Sequence, residues 1–296
     1  MSQNITPPLG RRYEVGGRRL FLDRAGAGGP AVVILPGAAA MGLDYLNLHQ
    51  QVGTFTTSVI YDRGGTGWSD PTRLPRTAAE AADELYDLLR VAGVPGPYVL
   101  VGHSLGGLHA RRFAQLHPDE VAGLVALDIL YEEWDAYVPE PFRLTQAQAL
   151  DETVTEIPAE LVEGARALLN GMFASWPSDI REALVARHLD PAAFADGMRE
   201  RANLAELAEE VRNGGQVPDV PLIAFTAQGI DPGQELYLPA EMLRRQNEAK
   251  RAMYTDLAAS VSRGENRVLE NASHSWIHIE GADAVLKGIQ DLIEKV

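Results

Sequence analysis

Among the residues that could do chemistry, Ser104 has the most informative setting. It lies in the run Val99-Leu-Val-Gly-His-Ser-Leu-Gly-Gly107, with Gly102 and Gly106 two positions to either side, the pattern G-x-S-x-G. A buried strand pattern precedes the run and a helical pattern follows it, so the serine falls at a sharp strand-to-helix turn. Such a turn holds the serine backbone in a strained conformation and projects the hydroxyl above the sheet. A side chain at either glycine would collide with the neighbouring strand and helix. The start of the next helix adds N–H groups and positive dipole where an oxyanion would form. The hydroxyl needs a base to remove its proton, and histidine is the usual one near neutral pH.

Seven histidines compete for that role. His103, His109 and His117 belong to the serine's own strand, turn and helix and are poorly directed for it. His49 falls in an early helix and His188 in a helical middle region. His274 and His278 follow the last strand pattern. The base in turn needs a carboxylate to fix its tautomer and stabilise the imidazolium. Asp128 ends one strand, Asp231 follows the next in the loop Gln228-Gly-Ile-Asp, and Glu235 lies close behind it. A loop-capping role is the bland alternative for Asp231.

The elements that must position these residues are legible in the pattern. Ala31 to Leu35 is a continuous apolar run, the mark of a buried strand. A hairpin is expected around Gly16-Gly17, and further strands at Thr57 to Tyr61, Tyr98 to Val101 and Val121 to Leu127. Thr77 and Glu80 have capping-box spacing before a stripe of Leu85, Leu88, Leu89 and Ala92, with Gly93 as the stop. Leu105 to His117 forms the next helix, ended by Pro118. Strands alternating with helices require crossover connections and a mainly parallel sheet, the α/β class. From about Tyr131 to Gly215 only helical segments are expected, before strands return at Val220 to Thr226 and around Arg267 to Glu270. Helices follow these at about Pro239 to Ser260 and at the end of the chain. The division expected is a core formed by residues 1–130 and 218–296, with residues 131–217 as a helical insertion.

Composition excludes several functions. A formal net charge of -15 repels phosphate backbones and anionic membrane surfaces, so neither nucleic acid nor membrane is an expected partner. With no cysteine, a thiolate nucleophile, disulfides and Cys-based metal sites are ruled out. His274 and His278 have i, i+4 spacing, but no third ligand pattern accompanies them, so neither a metal nor another cofactor is expected. The first ten residues are polar and proline-rich, and no stretch approaches the roughly 20 apolar residues of a membrane span, which makes a cytoplasmic location the default expectation. Oligomeric state is left open.

Four segments together resemble the α/β-hydrolase superfamily with a helical cap, or lid, over nearly the whole chain. They are Leu35-Pro-Gly-Ala38, Tyr61-Asp-Arg-Gly-Gly-Thr-Gly-Trp-Ser69, Gly102-His-Ser-Leu-Gly-Gly107 and Ser273-His274. The resemblance implies a parallel sheet flanked by helices, with Ser104 as nucleophile, His274 as base and Asp231 as acid. Asp128 is the alternative acid and His278 the alternative base. It also implies an oxyanion hole from the backbone N–H groups of Leu105 and Ala38. Pro36 stands where the family commonly has histidine, so the bracing of that loop is expected to differ while its N–H survives. For the loop Tyr61 to Ser69 the expectation is structural, with Asp62 and Arg63 bracing their neighbours.

The function expected is hydrolysis of an ester, thioester, lactone or amide of a small, largely apolar metabolite, through an acyl-enzyme on Ser104. The same resemblance admits a cofactor-free lyase, cyclase or C–C bond hydrolase that uses the Ser–His pair as acid and base. It also admits a ligand-binding receptor on the same fold. Trp134, Tyr137, Phe142, Met172, Phe173, Trp176, Phe194 and Met198 of the insertion could line an apolar pocket, or form the insertion's own packing.

Overall fold

A computed structural model describes residues 6–151, 156–235 and 238–296. Eight strands form one sheet: β1 (Arg11–Val15), β2 (Arg18–Ala25), β3 (Val32–Leu35), β4 (Ser58–Tyr61), β5 (Tyr98–His103), β6 (Val121–Leu127), β7 (Leu222–Ala227) and β8 (Gly264–Leu269). Their spatial order is β1-β2-β4-β3-β5-β6-β7-β8. The pairings β1–β2 and β2–β4 are antiparallel, and β4–β3, β3–β5, β5–β6, β6–β7 and β7–β8 are parallel. This is the α/β-hydrolase fold.

Between the strands run α1 (Leu46–Val52), α2 (Ala78–Val91) and α3 (Leu105–Leu116). Between β6 and β7 come α4 (Trp134–Tyr137), α5 (Leu144–Asp151), α6 (Val162–Met172), α7 (Ser178–His188), α8 (Pro191–Glu200) and α9 (Leu204–Asn213). After β7 follow α10 (Pro232–Glu235) and α11 (Ala240–Ala259), and after β8 come α12 (Ile277–Glu280) and α13 (Ala282–Ile293). Among the described residues between β6 and β7 there is no strand, in line with the expectation for that region.

The apolar runs of the central strands cover both faces of the sheet because alternate side chains point to opposite sides. Val33 and Leu35 join one buried cluster with Leu88 of α2, Phe113 of α3, Val211 of α9 and Leu257 of α11. Val32 and Ile34 join another with Leu48 of α1, Leu184 of α7 and Ile289 of α13. Helix α9, within the stretch expected as an insertion, thus keeps its apolar face in the same cluster as α2 and α3. Thr77 caps α2 by accepting from the Glu80 amide, and Glu80 answers on the Thr77 amide. This is the capping box read from the sequence.

Strand β8 starts at Gly264, three residues before the expected Arg267. It occupies the sheet edge, where only one neighbour must be satisfied, so the polar run Gly-Glu-Asn-Arg pairs with β7 despite lacking an apolar signature.

Candidate active site

The strand β5 and helix α3 meet at Ser104, whose backbone lies at φ 50° and ψ −123°, a region costly for any residue with a Cβ. Close packing forces this turn. A Cβ on Gly106 would stand 2.2 Å from the Leu35 carbonyl oxygen, and one on Gly102 would stand 2.9 Å from that of Gly106. The glycines let β5 approach its neighbours while the serine side chain is turned out of the sheet.

Ser104 Oγ lies 3.1 Å from His274 Nε2, and His274 Nδ1 lies 2.7 Å from Asp128 Oδ2. With Asp128 ionised, the Nδ1 proton belongs to the imidazole, so Nε2 is the acceptor facing the serine hydroxyl. The carboxylate is fully buried. Its Oδ1 accepts from the Ala227 amide at 3.0 Å, and its Oδ2 also receives Lys250 Nζ at 2.6 Å. Burial alone would raise its pKa. The Lys250 charge and the His274 contact overcome that and hold it below the usual carboxylate range.

Asp231, ranked first as acid from the sequence, does not contact His274 Nδ1. Its Oδ1 accepts from the amides of Gly233 and Gln234, and its Oδ2 accepts from that of Ser275. It caps α10 and anchors the loop that carries His274. The imidazole partner is instead Asp128, the alternative acid, one strand earlier. The reason is geometric: Asp128 takes φ 44° at the end of β6, a conformation Asp tolerates, and this sets its carboxylate beside the imidazole. Glu235 is exposed at the end of α10. His278, the alternative base, lies in α12 against the Tyr45 ring, 4.6 Å between centroids, and among the described residues neither ring nitrogen makes a well-formed hydrogen bond.

Residues 30–157 match the family model described as alpha/beta hydrolase fold. A 2-(acetamidomethylene)succinate hydrolase of Mesorhizobium japonicum is 26% identical over 69% of this chain and 69% of its own length. A probable transporter, EfuK, of Hormonema carpetanum is 33% identical over 40% of this chain. The chain covers only 18% of that protein, and likewise covers well under half of other curated relatives it matches. Among solved structures, the malate-bound thermophilic esterase of Thermogutta terrifontis superposes with a TM-score of 0.65 at 20% identity, covering 96% of this chain and 97% of that one. At that identity the likeness speaks for the fold.

The loop after β3 is held on both sides of the Ala38 amide. Arg63 donates from Nη1 to the Pro36 carbonyl and from Nη2 to the Gly37 carbonyl, both at 2.7 Å. Glu200, at the end of α8, accepts from Arg63 Nε at 2.5 Å and Nη2 at 2.9 Å, and from the Ala39 amide at 3.0 Å. A buried arginine therefore braces the loop that has Pro36 in place of histidine. Ala38 N has no protein acceptor among the described residues, and Leu105 N is the first amide of α3, one of the groups a helix start leaves unpaired. Asp62 accepts from the amides of Gly42 and Trp68, both at 2.7 Å, so the loop from Tyr61 to Ser69 is a brace, as expected.

A second brace was not foreseen. His103 Nε2 donates to the His274 carbonyl at 3.0 Å, which leaves Nδ1 to accept from the Tyr45 hydroxyl at 2.6 Å. Tyr45 oxygen accepts from the Gly37 amide at 3.2 Å. Burial lowers the His103 pKa well below the ordinary value, consistent with a neutral ring. Ser273 adds a further tie through its amide and hydroxyl, both donating to Glu280 Oε2.

Ser104 and His274 open on a cavity of about 530 Å³, within the size range of small-molecule sites. Trp134, Phe142 and Met172, of the eight apolar residues singled out in the insertion, line it. Phe173 is fully buried, Trp176 donates to the Leu43 carbonyl, Tyr137 donates to Asp256, and Phe194 borders a separate pocket. Leu130, Leu144, Leu169, Leu204 and Leu238 add apolar surface, and Asp44, Tyr45, His188 and Arg201 add polar groups. Sequence reasoning missed Lys250 and Glu200. Lys250 could have been found: it interrupts the stripe Leu243, Asn247, Lys250, Tyr254, Leu257 on the buried face of α11. Glu200 left no such signal.

No helix among the described residues is long and apolar enough to cross a membrane.

Proposed function

We propose that the protein is a serine hydrolase that cleaves an ester, thioester, lactone or amide of a small, largely apolar molecule. The observation that carries the reading is the continuous hydrogen-bonded chain from Ser104 through His274 to Asp128, beside a cavity of about 530 Å³. Ser104 Oγ attacks the substrate carbonyl carbon while His274 Nε2 takes its proton. The tetrahedral oxyanion is received by the N–H groups of Ala38 and Leu105, each such donor contributing roughly 3 to 4 kcal/mol in the transition state. Collapse expels the leaving group, which takes the proton from His274 and leaves an acyl group on Ser104. Water, deprotonated by the same imidazole, then releases the acid and restores the serine. Asp128 holds the imidazole tautomer throughout. Residues 131–217 act as a lid whose apolar side chains supply much of the substrate surface. The hydrolase from Mesorhizobium japonicum is consistent with hydrolysis as the reaction type.

Incubation with a fluorophosphonate is expected to add one covalent group, at Ser104. No labelling, or labelling at another residue, overturns the reading. A series of p-nitrophenyl esters of increasing acyl length then measures the pocket, with turnover falling once the chain outgrows the cavity.

A further inference from the structure

Lys250 is an unusual neighbour for a carboxylate in this position. It is 3% exposed at the wall of the active-site cavity, and its Nζ sits 2.6 Å from Asp128 Oδ2. That oxygen is the one His274 Nδ1 contacts at 2.7 Å. One carboxylate oxygen thus faces an ammonium group and an imidazole at once, with the carboxylate itself fully buried. Where a buried carboxylate faces an imidazole alone, its charge favours the imidazolium strongly, because the ion pair neutralises both groups. An imidazolium at rest cannot accept the serine proton. Here the lysine already compensates the carboxylate before any proton reaches His274.

The other groups around the pair leave this arrangement in place. From the β7 loop, Asp231 faces His274 and adds a weaker negative field, its own oxygens being occupied by three amides. From β5, His103 lies 5.1 Å from His274 between ring centroids and is kept neutral by burial. From α12, buried His278 has its pKa lowered to about 4. From α11, the Tyr254 hydroxyl donates to the Ile129 carbonyl. Lys250 is the cation in contact with the Asp128 carboxylate.

Resting on the serine-hydrolase reading, we propose that Lys250 is a positioning residue that closes an ion pair with Asp128 and so offsets the pull of the carboxylate on a proton at His274. It also holds Asp128 Oδ2 at the point where Nδ1 must meet it. The cost is a weaker pull on the imidazolium during the reaction, which trades peak rate for a wider acid range.

The test is the pH profile of fluorophosphonate labelling at Ser104, which needs no knowledge of the substrate. Lys250→Met removes the charge at similar volume, Lys250→Gln removes the charge but keeps a donor, and Lys250→Arg keeps the charge. Both neutral variants are expected to move the acid limb upward by about one to two pH units, and the arginine variant is expected to stay near the parent. Lys250→Gln carries the test if the methionine variant fails to fold. An acid limb that stays in place in either folded neutral variant, or that moves equally in Lys250→Arg, overturns the proposal while leaving the hydrolase reading intact. Parent protein that takes no label at Ser104 overturns both.

Discussion

Two regions of this molecule carry the same three residue types at similar distances. At the candidate site, Ser104 Oγ, His274 and Asp128 are linked at 3.1 and 2.7 Å. Some way along the sheet, Ser58 Oγ lies 2.9 Å from His49 Nδ1, and His49 Nε2 lies 2.9 Å from Asp23. A search by distance alone would return both. Ser58, however, opens the regular strand β4, paired on one side with β2 and on the other with β3, and it is fully buried. Ser104 stands at a positive φ between a strand and a helix, facing a cavity. Backbone presentation and access separate a nucleophile from a satisfied core serine.

The comparison can be broken most forcefully at its first members. Ser104→Ala and His274→Ala should each lower esterase turnover by about 10⁴-fold or more, with little further loss when combined. A Ser104→Ala protein that retains most of its turnover would make the two serines equivalent and end the distinction.

The carboxylates come next. Asp128→Asn should slow fluorophosphonate labelling by roughly 10³- to 10⁴-fold, whereas Asp231→Asn should keep it within about tenfold, since its role is loop capping. The reverse order would return the acid to the β7 loop.

Backbone presentation can be attacked directly. Gly106→Ala sets a Cβ against the Leu35 carbonyl, and neither strand nor helix can yield cheaply, so stability in urea should fall by about 3 kcal/mol. An alanine variant as stable as the parent would show that the turn is looser than its packing implies.

A buried histidine gives the site region a pH signature. The His278 pKa is lowered by burial to about 4, below the ordinary 6.5. The unfolded chain therefore binds this proton first as pH falls. The stabilisation is fully present above about pH 6.5 and is lost progressively down to about pH 4, roughly 3 kcal/mol for this group. Thermal denaturation across that window should show the loss, and His278→Leu should flatten it. An unchanged acid slope in the leucine variant would assign the loss to other groups.

The smallest effect sharpens the comparison from the other side. Ser58→Ala should cost about 1 kcal/mol of stability through the lost hydrogen bond and leave turnover within about twofold of the parent. A large loss of activity there would mean the β4 cluster is coupled to the site after all.

What the amino-acid order determined was whatever is local. G-x-S-x-G between an apolar run and a helical stripe specifies a strained turn, because only glycine fits where strand and helix close on each other. Continuous apolar runs specify strands covered on both faces, and Thr77 with Glu80 specifies a helix start, because these signals act within a few residues. Tertiary structure decided everything that depends on side chains far apart in sequence. Asp128 and Asp231 both follow strands and both read as acids; only the fold shows one carboxylate beside the imidazole and the other spent on three amides. Lys250 lies 122 residues from its partner and Glu200 lies 137 from Arg63. No periodicity connects such pairs, since the crossover topology and packing of a whole domain bring them into contact.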